Sequence, residues 1–405
     1  MSTSVTIRRP EAPLRAAVAL PPSKSVANRA LMLASLAGDP GSVEGFGQAD
    51  DTRILRRSLM ERPRDMHCGD GGTTFRFLLA WACVQEGEEH LITGSERLLQ
   101  RPHGPLVQAL RVLGADITES AVGLIVHGRK MKGGCITLHS PESSQFISAL
   151  LLIAPCLNQG LQLQWTGLRL SEPYVRMTIA LLKQFGSTLH EDAHGLHVAP
   201  GTLHAAPFHV PADWSAASFW YQIAATAPGS EVSLRGLKAD GLQGDEAIGI
   251  LLDGSVSSEA TSAGIALRGK TEIPAHPFAA DLVRTPDLFQ PLAFTMAAFG
   301  RSATFTGLHN LPLKETDRLK AVADAVQVLG CKADHEAGTF HLSGPITNRH
   351  PPPFNPQGDH RMAMALAPLA LICGAVTILD PEVVNKSYPG FWEDLERAGF
   401  LVSRA

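Results

Sequence analysis

The sequence has no CxxC pair. Its six cysteines, Cys68, Cys83, Cys135, Cys156, Cys331 and Cys373, are scattered through 405 residues. That spacing excludes a zinc ribbon or a disulfide frame and reads as buried free thiols in a reducing compartment. No GxGxxG follows a first strand, so the usual dinucleotide-binding pattern is missing as well. The opening residues, Met-Ser-Thr-Ser-Val-Thr-Ile-Arg-Arg-Pro, contain no apolar signal region. The longest apolar run, Met362 to Leu379, carries Arg361 at its head and Pro368 and Gly374 inside. It reads as a buried helix and strand, not a membrane span. Aromatic residues make up 6% of the chain and the net charge is −4, which argues against a broad nucleic-acid or membrane surface. A cytoplasmic protein with no nucleic-acid and no membrane partner is the expectation.

The composition, 44% hydrophobic and 18% charged, is that of a globular protein. A chain of 405 residues exceeds one hydrophobic core, so two domains are expected. The repeating signal is a small polar start followed by an apolar helix. It appears at Ser23-Lys-Ser, Asp70-Gly-Gly, Ser143-Ser-Gln, Asp213-Trp-Ser, Pro286-Asp-Leu and Asp359-His-Arg. Ser, Asp and Pro are residues that start helices, and bodies apolar all round predict burial. A strand ending in Gly or Asp follows each, then an amphipathic helix, commonly closed by Gly as at Gly114, Gly186, Gly330 and Gly399. Six such units, the first shorter than the rest, divide into two domains of three in which small sheets cover buried helices.

Polar and charged residues concentrate at these starts: Lys24, Ser25 and Arg29; Gly72 and Arg76; Ser143, Ser144 and Gln145; Ser171 and Tyr174; Asp287; Arg361; with Arg101 and Lys386 before two further helices. Arg29 and Arg361 fall within or beside apolar helices, where an unpaired charge is costly. The stretch Asn310-Leu-Pro-Leu-Lys-Glu-Thr-Asp-Arg318 places Lys314 and Arg318 four apart, on one face of a helix expected to open at Lys314 and stop at Gly330. Cations oppose the helix dipole there, which makes sense if an anion sits in front of them. Glu315 beside them offers a proton-transfer group. Ser143, Ser144, Asp213 and Asp287 could each be plain caps, and Gly71-Gly72 a plain loop. The joint pattern instead points to one pocket for a small, multiply anionic ligand.

Pro22-Ser-Lys-Ser-Val-Ala-Asn-Arg29, Gly72-Thr-Thr-Phe-Arg76, Arg101-Pro, Ser143-Ser-Gln145, Ser171-Glu-Pro-Tyr174, Pro286-Asp287, Lys314-Glu-Thr-Asp-Arg318, Asp359-His-Arg-Met-Ala-Met364 and Lys386-Ser-Tyr-Pro resemble the 5-enolpyruvylshikimate-3-phosphate synthase (3-phosphoshikimate 1-carboxyvinyltransferase) family, in family order along nearly the whole chain. The resemblance implies an α/β (α+β) fold: two similar domains, each of three βαβαββ units (an inside-out α/β barrel), with the active site in an interdomain cleft. The implied domains are 1–22 with 213–405, and 23–212 as an insertion. The implied reaction moves the enolpyruvyl group of phosphoenolpyruvate to the 5-hydroxyl of shikimate 3-phosphate and releases phosphate, in the shikimate pathway to chorismate and the aromatic amino acids.

By the same resemblance, Lys24, Ser25, Arg29, Ser143, Ser144, Gln145, Ser171, Tyr174, Asp287, Asn310 and Lys314 would bind shikimate 3-phosphate. Lys24, Gly72, Arg101, Gln145, Arg318, Arg361 and Lys386 would bind phosphoenolpyruvate. Asp287 would take the hydroxyl proton; Glu315, with Lys24, would deliver one to the methylene carbon. No metal or organic cofactor is implied, and a monomer is expected. Gly72 leaves room for glyphosate, an inhibitor of the family. Where this family usually has Asn, the chain has Asp70, a carboxylate expected to repel phosphoenolpyruvate unless a cation pairs with it. Mutual repulsion among the cations predicts an open empty form that closes on anion binding.

Two other readings stand beside this one. A UDP-N-acetylglucosamine enolpyruvyl transferase would share the fold and chemistry, but the Cys-Gly-Arg stretch it typically carries is missing near Arg101. A non-catalytic phospholigand-binding protein on the same scaffold would have no use for Asp287, Glu315 and Lys24.

Overall fold

The computed structural model describes residues 3–405. The chain forms two compact units, one of the residues up to Pro21 with Pro211–Ala405, the other Pro22–Val210. Their construction is the same. In the Pro22–Val210 unit the helices Lys24–Leu36, Gly72–Cys83 and Ser144–Ile153 pack against one another. Of Gly72–Cys83 only Thr73 escapes full burial, which is why the residues around the helix are apolar on every side. The other unit is centred in the same way on Trp214–Thr226, Phe289–Phe299 and His360–Leu366. Burying each large side chain of these helices contributes about 1.5–3 kcal/mol. Truncating fully buried Phe77 or Phe294 to alanine therefore removes about 3–5 kcal/mol.

Small sheets form the outer layers. Four of them share one plan: a parallel pair with a buried helix between its strands, extended by an antiparallel pair, the whole Pro22–Val210 unit also being inserted between Arg15–Ala19 and Glu231–Arg235. In one, Gly134–Leu138 runs parallel to Leu161–Trp165, which pairs antiparallel with Gly195–Val198, and that with Leu189–Asp192. The parallel pairs Asp65–His67 with Glu89–Thr93, Arg15–Ala19 with Glu231–Arg235, and Phe278–Asp281 with Ala303–Thr306 repeat the plan. The short first unit contributes only Val43–Glu44, parallel to Phe208–His209. The N-terminal strand Ser4–Arg8 lies antiparallel between Ala375–Leu379 and Leu401–Arg404, so both ends of the chain close one sheet.

The apolar run at Met362–Leu379 is divided as its proline and glycine require. The His360–Leu366 helix passes through a short 3-10 turn containing Pro368, and Gly374, at φ 82°, turns the chain into Ala375–Leu379. No helix among the described residues is long and apolar enough to cross a membrane. Two cysteines depart from expectation: Cys135 and Cys156 are exposed, whereas the other four are buried. Cys135 lies on the outer face of a strand, where side-chain alternation turns every second residue to solvent.

Candidate active site

In the Pro22–Val210 unit, Lys24 opens the first buried helix and its ammonium lies 2.9 Å from Asp51 Oδ2. Asp51 is only 4% exposed. Its backbone carbonyl accepts from Thr74 Oγ1 at 2.9 Å, so one residue ties two helix starts together. Gly71 and Gly72 are needed for close approach. A Cβ on Gly71 would stand 2.8 Å from Asp51 Oδ1, and one on Gly72 would stand 2.6 Å from Arg101 Nη1. Arg101 also borders a cavity of about 370 Å3 with His103 and Arg111. Burial, with Arg76 and Arg101 nearby, pushes His103 down to about 4, which leaves it neutral at pH 7. Arg76 bonds Gln145 Oε1 and the Pro102 carbonyl, and so joins the Arg101 loop to the Ser144–Ile153 helix.

Arg29 is 2% exposed. Its guanidinium donates to Thr178 Oγ1 (2.7 Å), the Ser25 carbonyl (2.9 Å) and Ser148 Oγ (3.1 Å), and faces the rings of Phe77 and Tyr174. None of these partners is a carboxylate. Burial lowers its pKa to about 10, still charged at neutral pH. Ser143 caps its helix by accepting from the Gln145 amide at 3.2 Å, and Ser144 is the first helical residue. Ser171 has φ 56° and ψ 36°, a left-handed conformation unusual for serine, at the head of Glu172–Gln184. Strain of this kind costs about 1–3 kcal/mol and collects at functional positions. Asp70 is exposed and accepts from the Ser95 hydroxyl.

The other unit gathers a charge network. Lys386 Nζ lies 2.8 Å from Glu315 Oε1, and Glu315 Oε2 lies 3.1 Å from Arg318 Nη2. Arg318 continues to Asp287 Oδ1 (2.8 Å) and Asp359 Oδ2 (2.7 Å). Asp287 also takes Arg361 Nη2 at 2.9 Å and Lys314 Nζ at 3.7 Å. Arg361 reaches Ser215 Oγ at 3.2 Å, and that hydroxyl donates to Asp245 Oδ2. Four cations thus stand among four carboxylates.

Burial alone would raise Asp287, but Arg361, Lys314 and Arg318 outweigh it and hold the carboxyl well below the usual range. Burial and the nearby Asp287 charge push Asp245 up to about 6, against the pull of Arg361 and the Ser215 hydroxyl. Burial works against the Arg318 charge, yet Asp359, Glu315 and Asp287 stabilise it more strongly. Breaking one buried pair in such a network typically costs about 3–5 kcal/mol, because the remaining charge is stranded. Asn310 is 5% exposed and its Oδ1 has no hydrogen-bond partner among the described residues. A buried acceptor in that condition is suited to a ligand donor.

Two expectations are corrected here. The helix does not open at Lys314. A 3-10 turn covers Leu311–Leu313, Lys314 is extended, and the helix is Arg318–Val328. Asp317 decides this, since its Oδ1 accepts from the Leu319 and Lys320 amides, both at 3.1 Å. Lys314 and Arg318 therefore meet through Asp287, not as neighbours on a helix face. The cations of this unit are also paired with carboxylates, so the mutual repulsion argued for an empty site is offset within it. Asp51, Asp245 and Ser215 were missed. Paired acids at Asp50-Asp51 look like ordinary partners for a helix dipole, and nothing in the sequence links Asp245 to Arg361, 116 positions on.

The sequence profile of the family described as EPSP synthase (3-phosphoshikimate 1-carboxyvinyltransferase) matches residues 8–61 and 54–395. A 3-phosphoshikimate 1-carboxyvinyltransferase of Bacteroides fragilis is 39% identical over 396 residues, covering 96% of each chain. One of Methanospirillum hungatei is 31% identical and covers 93% of this chain and 94% of its own. An EPSP synthase structure from Acinetobacter baumannii superposes with a TM-score of 0.79 at 21% identity, over 100% of both chains. The enolpyruvyl transferase NikO from Streptomyces tendae gives 0.74 at 15%, over 100% of this chain and 99% of that one. At those identities the two structures speak for the two-domain, inside-out α/β fold alone. The profile and the curated relatives speak for more: this chain belongs to the EPSP synthase (3-phosphoshikimate 1-carboxyvinyltransferase) family.

Proposed function

We propose that the chain transfers the enolpyruvyl group of phosphoenolpyruvate to the 5-hydroxyl of shikimate 3-phosphate and releases inorganic phosphate. The observation that carries this reading is the sharing of Arg318 by Asp287 and Glu315, at 2.8 and 3.1 Å, with Lys314, Arg361 and Lys386 bonded to the same two carboxylates. Addition to C2 of an enol phosphate needs a base at the attacking hydroxyl and an acid at C3. Two carboxylates among several cations meet that need and the charge of the substrates together.

In this reading the 5-oxygen bonds to C2 as Asp287 takes its proton, and C3 receives a proton from Glu315, assisted by Lys24. The C2–O bond to phosphate then breaks, and C3 gives a proton back to restore the double bond. Lys24, Gly72, Arg101, Gln145, Arg318, Arg361 and Lys386 would hold phosphoenolpyruvate. Ser25, Arg29, Ser143, Ser144, Ser171, Tyr174, Asn310 and Lys314 would hold shikimate 3-phosphate, together with Asp287 and the shared Lys24 and Gln145. The proposal requires side chains of both units to reach one reaction complex.

The paired state of Asp287 supplies a trigger. A carboxylate held by three cations is ionised but weakly basic. Substrate phosphate and carboxylate groups compete for those cations. Each cation withdrawn from about 4 Å removes up to about 4 kcal/mol of attraction at an effective dielectric of about 20. Basicity at Asp287 then rises once both substrates are in place, phosphoenolpyruvate drawing on Arg318 and Arg361 and shikimate 3-phosphate on Lys314.

Phosphate release from phosphoenolpyruvate, measured with shikimate 3-phosphate or with UDP-N-acetylglucosamine as acceptor, tests the reading. Release with the first alone supports it. Release with the second alone favours the related transferase, and release with neither favours a binding protein.

A further inference from the structure

The hairpin at the edge of one sheet holds a side-chain cluster that the transfer reaction does not use. Strands Leu189–Asp192 and Gly195–Val198 are antiparallel, with His190 opposite His197 and Asp192 opposite Gly195. Side chains alternate between faces, so His190, Asp192 and the cross-strand His197 share one face. The two imidazoles are stacked, with centroids 4.6 Å apart and planes parallel. Asp192 Oδ1 lies 3.1 Å from His197 Nε2, and Asp192 Oδ2 lies 4.0 Å from His190 Nε2. The three residues offer ligand atoms that all lie within 4.8 Å of one another.

The carboxylate is oriented within its own turn. Asp192 Oδ1 accepts from the His194 amide at 2.7 Å, which fixes the direction of the carboxylate. Two imidazoles and a carboxylate are the donor set of borderline first-row divalent ions. Ligand atoms about 2.0–2.2 Å from such an ion sit roughly 3–3.5 Å from one another. The present separations, up to 4.8 Å, exceed that spacing, so the side chains must rotate to close on an ion. Imidazole lone pairs lie in the ring plane, so the two stacked rings must turn out of their parallel planes before both can meet one ion.

We propose that His190, Asp192 and His197 form a surface site for one divalent transition-metal ion of the Ni2+ or Zn2+ class, with water completing the coordination. The ion staples the two strands across their register. Its effect extends inward through Glu191, on the same edge strand, which pairs with Arg176. Arg176 also bonds Glu172 at 2.9 Å, in the first turn of Glu172–Gln184.

The test is calorimetric titration of the chelator-treated, full-length protein with NiCl2, chosen because the exposed cysteines would compete for Zn2+. One site of micromolar affinity is expected. His190→Ala and His197→Ala should each weaken it by about tenfold or more, and Asp192→Asn by several-fold. Far-UV circular dichroism and phosphate release in metal-free buffer should be unchanged in all three variants, because none of these residues is assigned to substrate. Affinity weaker than millimolar overturns the proposal, and so does an affinity that survives both histidine substitutions in folded protein.

Discussion

Lys386 Nζ lies 2.8 Å from Glu315 Oε1, so a lysine near the end of the chain is held by the proposed proton donor. If the phosphoenolpyruvate anion takes over this ammonium, the contact is a charge-assisted bond worth about 1.5–3 kcal/mol. Lys386→Met should then raise KM for phosphoenolpyruvate about 10- to 100-fold and leave KM for shikimate 3-phosphate nearly unchanged. Initial-rate measurements with each substrate varied in turn check this.

Asp287 separates binding from chemistry. The isosteric Asp287→Asn keeps the shape and removes the base, so kcat should fall about 10²- to 10⁴-fold. It also removes the charge that faces Arg361, Lys314 and Arg318, of which Arg318 keeps Asp359 and Glu315. The empty variant should melt below the wild type, and bound shikimate 3-phosphate should restore more stability to it than to the parent. Thermal unfolding with and without ligand reads both effects.

Gly72 is set by its neighbour. A methyl group there would stand 2.6 Å from Arg101 Nη1. The guanidinium is flexible and borders a cavity, so it can swing aside while the fold holds. Gly72→Ala should therefore leave the melting temperature within a few degrees of wild type. Losing a well-placed charge-assisted contact, worth about 1.5–3 kcal/mol, would raise KM for phosphoenolpyruvate about tenfold or more. A large drop in melting temperature with unchanged KM would contradict the placement.

Asp245 makes stability depend on pH with a definite sign. Its carboxyl is raised to about 6 in the fold, against about 3.9 in an unfolded chain. Between those values the folded form binds more protons. This contribution is complete at low pH and is lost as pH rises through about 6. Asp245→Asn should flatten that fall and stabilise the protein at pH 8 by roughly 1–3 kcal/mol relative to wild type. Denaturant unfolding from pH 4 to pH 8 measures it. Asp287 contributes with the opposite sign, being depressed, and its share is lost as pH falls below the ordinary carboxylate range.

The six buried helices were legible because each carries both signals a sequence can show: a polar start and an apolar body. Glycine closures were legible too, since Gly114, Gly186, Gly330 and Gly399 all take positive φ. The start of Arg318–Val328 was misplaced because Lys314 and Glu315 fit a helix by composition, while the Asp317 side chain fixes the boundary. Pairings such as Lys24 with Asp51, or Ser215 with Asp245, depend on how distant segments pack, and no local period encodes that. Asp70 looked like a threat to anion binding. Its exposure, and the Ser95 hydroxyl bonded to it, leave a charge that solvent screens.

Transfer of an intact enolpyruvyl group separates this reaction from simple hydrolysis of phosphoenolpyruvate. Proton NMR of phosphoenolpyruvate and shikimate 3-phosphate incubated with the protein in D2O tests this most directly. A new enol ether on the 5-oxygen is predicted, with deuterium entering its methylene group, and Glu315→Gln should suppress both signals. Pyruvate and free phosphate in place of the enol ether, or unchanged substrates, would contradict it.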